Sequence, residues 1–327
     1  MAMKIENLWK SVALSGLAWA VLAATNLATA GSANQVVIED LGSKLKIQIG
    51  GELFTEYYYK DVPRPYLYPI IGPKGLPMTR NWPMKEVAGE ERDHPHHKSL
   101  WFTHGAVNGV DFWSDGATKG KIAHEKFTQI SSGKQGTIKA FHKWMTAEGK
   151  LVLTEDRTVQ IAAEGPNRII DFEIALHASE GAVTLGDTKE GSMAIRLAET
   201  MRLKAPKNKP GQGHIVNSEG LTDDATWGKR AKWCDYYGPV EGQILGVAMF
   251  DHPANPRYPT WWHVRDYGLF AANPFGIHDF EKAPANQGDL KIAAGQSLTF
   301  RYRFVFHPGS EKEAGIAGLY LNYINQK

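Results

Sequence analysis

Apolar and polar residues alternate with a period of two along much of this chain. In KLKIQIGG (44–51), Leu45, Ile47 and Ile49 oppose Lys44, Lys46 and Gln48. In RIIDFEIALH (168–177), Ile170, Phe172, Ile174 and Leu176 share one face, with Asp171 and Glu173 on the other. SLTFRYRFVFH (297–307) turns Phe300, Tyr302, Phe304 and Phe306 inward and Arg301 and Arg303 outward. Such alternation marks strands with one buried face. Further strands are expected at 121–130, 134–145, 150–161, 191–199 and 243–250, punctuated by turns such as AEGK (147–150) and AEGPNR (163–168). Helical spacing is convincing only in SEKEAGIAGLYLNYINQ (310–326). There Ser310 reads as an N-cap, Glu311 and Glu313 suit a first turn, and Ile316, Leu319, Tyr320 and Tyr323 line one face. Many antiparallel strands and one late helix predict an all-β fold: a large antiparallel β-sandwich with a short C-terminal helix.

The chain opens differently. Lys4 and Lys10 precede a mostly apolar run from Val12 to Ala24, and Ala28-Thr29-Ala30 places small residues where a signal peptidase cuts. This order predicts a signal peptide over 1–30, removed on export to the periplasm or beyond. No later segment is apolar enough to span a bilayer. The remaining residues, 31–327, show no compositional break and are expected to form a single sandwich domain.

Composition narrows the partners. The net charge is +2 and the charges are dispersed, with no basic stripe to track a phosphate backbone, so nucleic acid is not an expected partner. One cysteine, Cys234, excludes an internal disulfide and a Cys-rich zinc site, and it reads as a small packed residue. Ten tryptophans and twelve tyrosines, many beside Gly, Asn or His, suit the C–H faces and hydroxyl edges of sugars, although tryptophan also serves cores.

Candidate chemistry concentrates in RDHPHHKSLWFTHGAVNGVDFW (92–113), where four of twelve histidines fall within 94–104. Pro95 should hold His94 extended and place the first histidines in a loop or at an edge. Imidazoles titrate near neutrality, so His94, His97 and His104 are candidate acid–base or ligand-orienting groups, with Asp93 or Asp111 as carboxylate partner. Asp111 could instead cap its own turn, and Asp93 could pair with Arg92. Glu190, ahead of a strand, is a further carboxylate candidate. A divalent metal is the alternative: His94-x-His96 is a usable pair spacing, and His104 or a distant carboxylate would complete the set. The acid–base reading requires no cofactor.

A second dense stretch is DHPANPRYPTWWHVRDYGLFAANPFG (251–276). If 261–265 is extended, Trp261, His263 and Arg265 share a face, and Asn273 follows on the next strand-like run. An indole, an imidazole and a guanidinium together suit a hydroxylated or carboxylated ligand.

These two stretches, with GLPMTRNWPM, GSMAIRLAE and WCDYYGP in order between 45 and 307, resemble the bacterial family labelled PmoA-like. The resemblance implies a galactose-mutarotase-like β-sandwich, a fold that often places histidines and a carboxylate in a sugar-binding cleft. The family's methane oxygenase label implies a metal-dependent enzyme, whereas the particulate methane oxygenase is an integral-membrane protein and nothing after residue 30 here can span a membrane. The leading expectation is therefore an exported carbohydrate-active enzyme working by histidine and carboxylate acid–base chemistry. A metal-dependent oxygenase and a non-catalytic glycan-binding or structural protein are the alternatives. The acid–base reading requires the 93–111 and 261–266 segments to border one cavity.

Overall fold

A computed structural model describes residues 34–325, so the expected signal peptide at 1–30 lies outside the described residues. Two eight-stranded antiparallel sheets dominate it. The first runs, in spatial order, Val36–Asp40, Lys44–Ile49, Glu52–Tyr58, Tyr66–Leu67, Leu100–His104, Gly191–Arg196, Leu269–Asn273, Trp261–Val264. The second runs His214–Asn217, Trp233–Val240, Gln243–Asp251, Ser297–Pro308, Asn167–His177, Leu151–Glu164, Gln135–Met145, Lys121–Ser131. The inner faces bury one continuous apolar core. The expected sandwich is the observed architecture.

The alternating segments behave as their pattern demands. Leu45, Ile47 and Ile49 are buried, as are Ile170, Phe172, Ile174 and Leu176, and Phe300, Tyr302, Phe304 and Phe306. Each fully buried aromatic or branched side chain contributes about 1.5–3 kcal/mol relative to exposure. On the outer face of the second sheet, Arg303 lies opposite Asp171 and Arg301 opposite Glu173, and both cross-strand pairs close as ion pairs. Cys234 packs inside, fully buried, with its thiol pushed up by burial.

The C-terminal helix is shorter than its sequence pattern. Ser310 and Glu313 exchange hydrogen bonds as a cap would, at 2.8 Å to the Ser310 N–H and 3.4 Å to the Glu313 N–H. Gly315 then enters the left-handed region at φ +65°, and the helix runs only from Ile316 to Ile324. Ile316 and Tyr320, with Leu319 and Tyr323 beside them, cover Trp233, Ala248, Phe250 and Val305 on the outer face of the second sheet.

The last four strands in the first sheet's order depart from alternation altogether. Leu100–His104, Gly191–Arg196, Leu269–Asn273 and Trp261–Val264 are buried at every position. Their inner face meets the core, and loops lie over their outer face. Those loops build the site.

Candidate functional site

Register places Trp101 opposite Ala194, Ala194 opposite Ala271, and Ala271 opposite His263. One row across the outer face of the first sheet therefore carries two large side chains separated by two alanines. The short pair leaves a hollow between the walls. Above it lies a cleft of about 540 Å³ whose lining includes His94, His96 and His97 from the early loop and His263 and Arg265 from the late segment. Trp113 and Ser114, Lys189 and Glu190, and Tyr267 complete it. The two remote segments do border one cavity.

Buried arginines set the histidine loop. Arg64, fully buried, donates to the carbonyls of His96, Phe112, Trp113 and Ser114 and to the carboxylate of Asp115, fastening both ends of the loop to one guanidinium. Arg80, equally buried, donates to the Asp93 carboxylate and to the carbonyls of Asp93 and His94. Arg196 adds a second guanidinium to Asp93, at 3.1 Å and 3.3 Å. Asp93 therefore does not pair with Arg92, which reaches Glu86 instead. Burial pushes the Asp93 carboxyl up, but the His94 hydrogen bond and the two arginines outweigh it and hold the group far below the usual carboxylate range.

His94 is not extended. Its φ is +43°, a left-handed conformation that is costly for a residue with a Cβ and unusual before proline. The turn brings its Nδ1 to 2.6 Å from Asp93 Oδ2, which neighbours in an extended chain would not achieve. The clamp by Arg80 and Arg196 is what holds the chain there. With Nδ1–H donated to Asp93, the lone pair of Nε2 is left for other partners.

The rings stack into a column. His94 lies parallel to Tyr267 at 5.3 Å and to His97 at 4.7 Å, and His97 continues onto Trp101 at 5.4 Å. His97 is buried, and its Nδ1 accepts a long hydrogen bond from Arg196 at 3.4 Å. Burial, followed by the Arg196 charge, pushes its imidazole well below the ordinary value. His96 falls to about 4 through burial and the nearby Arg64 charge. His263 accepts the Trp227 indole N–H at Nδ1, 3.0 Å away, which assigns its proton to Nε2. Burial, Arg265 and Lys189 depress it to about 3. His96, His97 and His263 are thus neutral at physiological pH. Glu190 moves the other way: burial raises its carboxyl pKa, against the opposing pull of Lys189.

Several expected site residues lie elsewhere. His104 is sealed below the cleft, with Nε2 on the Gly186 carbonyl at 2.8 Å, Nδ1 near Ser192 Oγ at 3.3 Å, and its ring against Phe275. A Cβ on Gly191 would sit 2.6 Å from its Nδ1, so the ring braces the Lys189–Glu190 wall from behind. Asp111 caps its own turn through the N–H groups of Trp113 and Ser114 and pairs with Lys119. Trp261 shares the face of His263 but donates to Glu281 at 2.6 Å and is covered by Arg230, so it stays off the cleft. Asn273 is fully buried, accepts from Phe275 and Gly276, and donates to the Thr188 carbonyl. It organises the loop that presents Glu190. The three-histidine metal set is not assembled, because His104 is turned away from His94 and His96. Among the described residues, no three His, Cys, Asp or Glu side chains gather as a metal site.

The residues that sequence reasoning passed over are Arg64, Arg80, Arg196, Lys189, Trp113 and Tyr267. A signal existed for the first three, each a lone cation inside an apolar stretch: VPRPYLYPI, PMTRNWP and MAIRLAE. A cation so placed is either badly buried or built into a network.

Solved structures resemble the chain only distantly. An α-galactosidase from Lactobacillus brevis is 10% identical over 87% of this chain, with a TM-score of 0.42, and the chain spans 41% of its length. A galactose mutarotase related enzyme from Lactobacillus acidophilus is 10% identical over 83% of this chain and 97% of its own, with a TM-score of 0.30. A polysaccharide lyase is 11% identical over 85% of this chain and 33% of its own, with a TM-score of 0.35. At those values the likeness says nothing about activity. No curated protein matches the chain. A family model does match, across residues 44–321, and it is described as a family of unknown function, DUF6807, not as PmoA-like. That match takes in every strand of the two sheets but the first, Val36–Asp40, and every residue of the cleft: the chain is a member of the DUF6807 family.

Proposed function

We propose that the protein is a carbohydrate-active enzyme that performs acid–base chemistry in this cleft. The observation that carries the reading is the meeting of an Asp93–His94 dyad and a carboxyl with a raised pKa, Glu190, in one cavity. Asp93 fixes the tautomer of His94 and leaves Nε2 to accept a proton. Glu190, kept protonated to a higher pH by burial, is suited to donate one. The His263 Nε2–H faces the same side as Arg265 and supplies a neutral donor to a sugar oxygen. Tyr267 and Trp113 add aromatic surface for a pyranose ring. Sugar epimerisation, elimination and glycoside cleavage all need this pair of groups. Export, expected from residues 1–30, would expose the protein to such substrates.

The test is a saccharide panel followed by NMR, with saturation transfer reporting binding and proton spectra reporting turnover. His94→Gln and Glu190→Gln should each lower turnover at least 100-fold while retaining binding, a range expected for loss of one acid or base. Glu190→Gln should also remove the limb on which activity falls with rising pH. Turnover unchanged in the double variant, or no saccharide contacting the cleft, overturns the proposal.

A further inference from the structure

The cleft does not end at Tyr267. A second compartment of about 310 Å³ adjoins it, lined by Asp93, Arg202, Lys204 and Lys207 among others, and the two share Arg265 and Tyr267. The acidic groups of the second compartment are already engaged. Glu91 pairs with Arg202 at 2.6 Å, Asp266 with Lys204 at 3.1 Å, and Asp93 with Arg80, Arg196 and His94.

Arg265 stands apart from this pairing. Among the described residues, the guanidinium of every other arginine donates a hydrogen bond to a carboxylate or a carbonyl, and that of Arg265 donates none. Its guanidinium is instead held over two rings, 5.3 Å from the Tyr267 centroid and 6.0 Å from that of Trp227. Stacking restrains the long side chain while leaving its in-plane N–H fork unspent. The half-buried fork lies where two compartments meet. A planar, two-oxygen anion is the partner that satisfies it with two parallel hydrogen bonds.

We infer that the substrate is an acidic saccharide, a uronate-containing oligomer of at least two residues, whose carboxylate is taken by Arg265 while the chain runs from one compartment into the other. This rests on the proposed carbohydrate activity and adds the substrate class to it. His263, which is neutral, and Glu190 contact the sugar in the first compartment, and Arg202, Lys204 and Lys207 line the path of the next residue.

The experiment measures binding by calorimetry for uronate oligomers of galacturonan, glucuronan and alginate type. Each is paired with its carboxyl-reduced neutral counterpart and with a sulfate ester of that counterpart. The wild-type protein should bind at least one acidic oligomer roughly tenfold or more tighter than its reduced partner, the gain expected of one charge-assisted bidentate contact. Arg265→Met should erase that ratio and leave the neutral oligomer's affinity within about threefold, and Arg265→Lys should keep part of the ratio. Circular dichroism melts identical to wild type confirm that both variants fold. No acidic oligomer outbinding its reduced partner, or a ratio that persists in Arg265→Met, overturns the inference. An equal gain with the sulfate ester overturns the carboxylate assignment. Neutral saccharides that bind and turn over in a His94-dependent way, without acidic preference, would sink this inference alone. Failure of every saccharide to bind would remove the underlying activity as well.

Discussion

His104 offers a way to measure, apart from any substrate, that the structure has moved it from the chemistry to the frame. Its imidazole is fully buried, and burial depresses its pKa from 6.5 to about 4, only partly offset by the hydrogen bond to the Gly186 carbonyl. The unfolded chain binds a proton there near pH 6.5, and the folded protein resists doing so until about pH 4. Between those values the unfolded state holds more protons, so stability rises with pH and is lost as pH falls. Taking the folded value as about 4, lowering pH from 7.5 to 4.5 removes about 2–3 kcal/mol of stability through this one group. His104→Gln keeps a donor within reach of the Gly186 carbonyl and removes the titration. Urea unfolding followed by tryptophan fluorescence, for both proteins at both pH values, isolates the group, because His96, His97 and His263 titrate identically in each. At pH 7.5 the variant should be less stable by about 1–2 kcal/mol, having lost ring contact with Phe275. At pH 4.5 that deficit should vanish or reverse. A gap that stays constant to within about 0.5 kcal/mol would show that the ring is not a buried neutral brace.

Arg64→Met should destabilise the protein by about 3–5 kcal/mol in a denaturant titration, because four carbonyls lose their shared buried donor while Asp115 keeps Lys98. A loss under about 1 kcal/mol would mean that the loop is held by something else. Gly315→Ala should cost about 1 kcal/mol, since a Cβ there meets nothing within 4 Å and only the left-handed φ of +65° opposes it. No change in melting temperature would place the helix start elsewhere.

Legibility in the sequence followed the number of buried faces. Lys44–Ile49, Asn167–His177 and Ser297–Pro308 face the core on one side and alternate, so their strands and inward residues could be read directly. Leu100–His104, Trp261–Val264 and Leu269–Asn273 are covered on both sides and carry no period, so the strands that support the cleft were the ones without a pattern. The lost alternation had a cause: the loops that line the cleft close over that face. The acid–base reading required the 93–111 and 261–266 segments to border one cavity, and their His94–His97 and His263–Arg265 parts do. The separation of His104 and Asn273 from them was not expected, because each lies in or beside a polar, loop-rich run, and only register shows which way a strand-end side chain turns. The turn at His94 was hidden for a different reason. Pro95 argues for an extended neighbour, and the local preference is overruled by Asp93 bridging two arginines that lie 13 and 103 residues away in sequence.

Charge beneath the cleft decides which imidazole can act. Four histidines border it, and three have cations for their strongest neighbours: Arg64 beside His96, Arg196 beside His97, and Arg265 with Lys189 beside His263. Each guanidinium or ammonium disfavours a second positive charge, so these rings stay neutral and serve as donors, acceptors and flat surface. His94 alone of the four has a carboxylate against its ring. Asp93 can hold that position as a permanent anion because Arg80 and Arg196, both buried, need its charge. The same arginines therefore silence His97 and, through Asp93, enable His94. Of the four rings only His94 is hydrogen-bonded to an anion, and the catalytic reading stands or falls on that asymmetry.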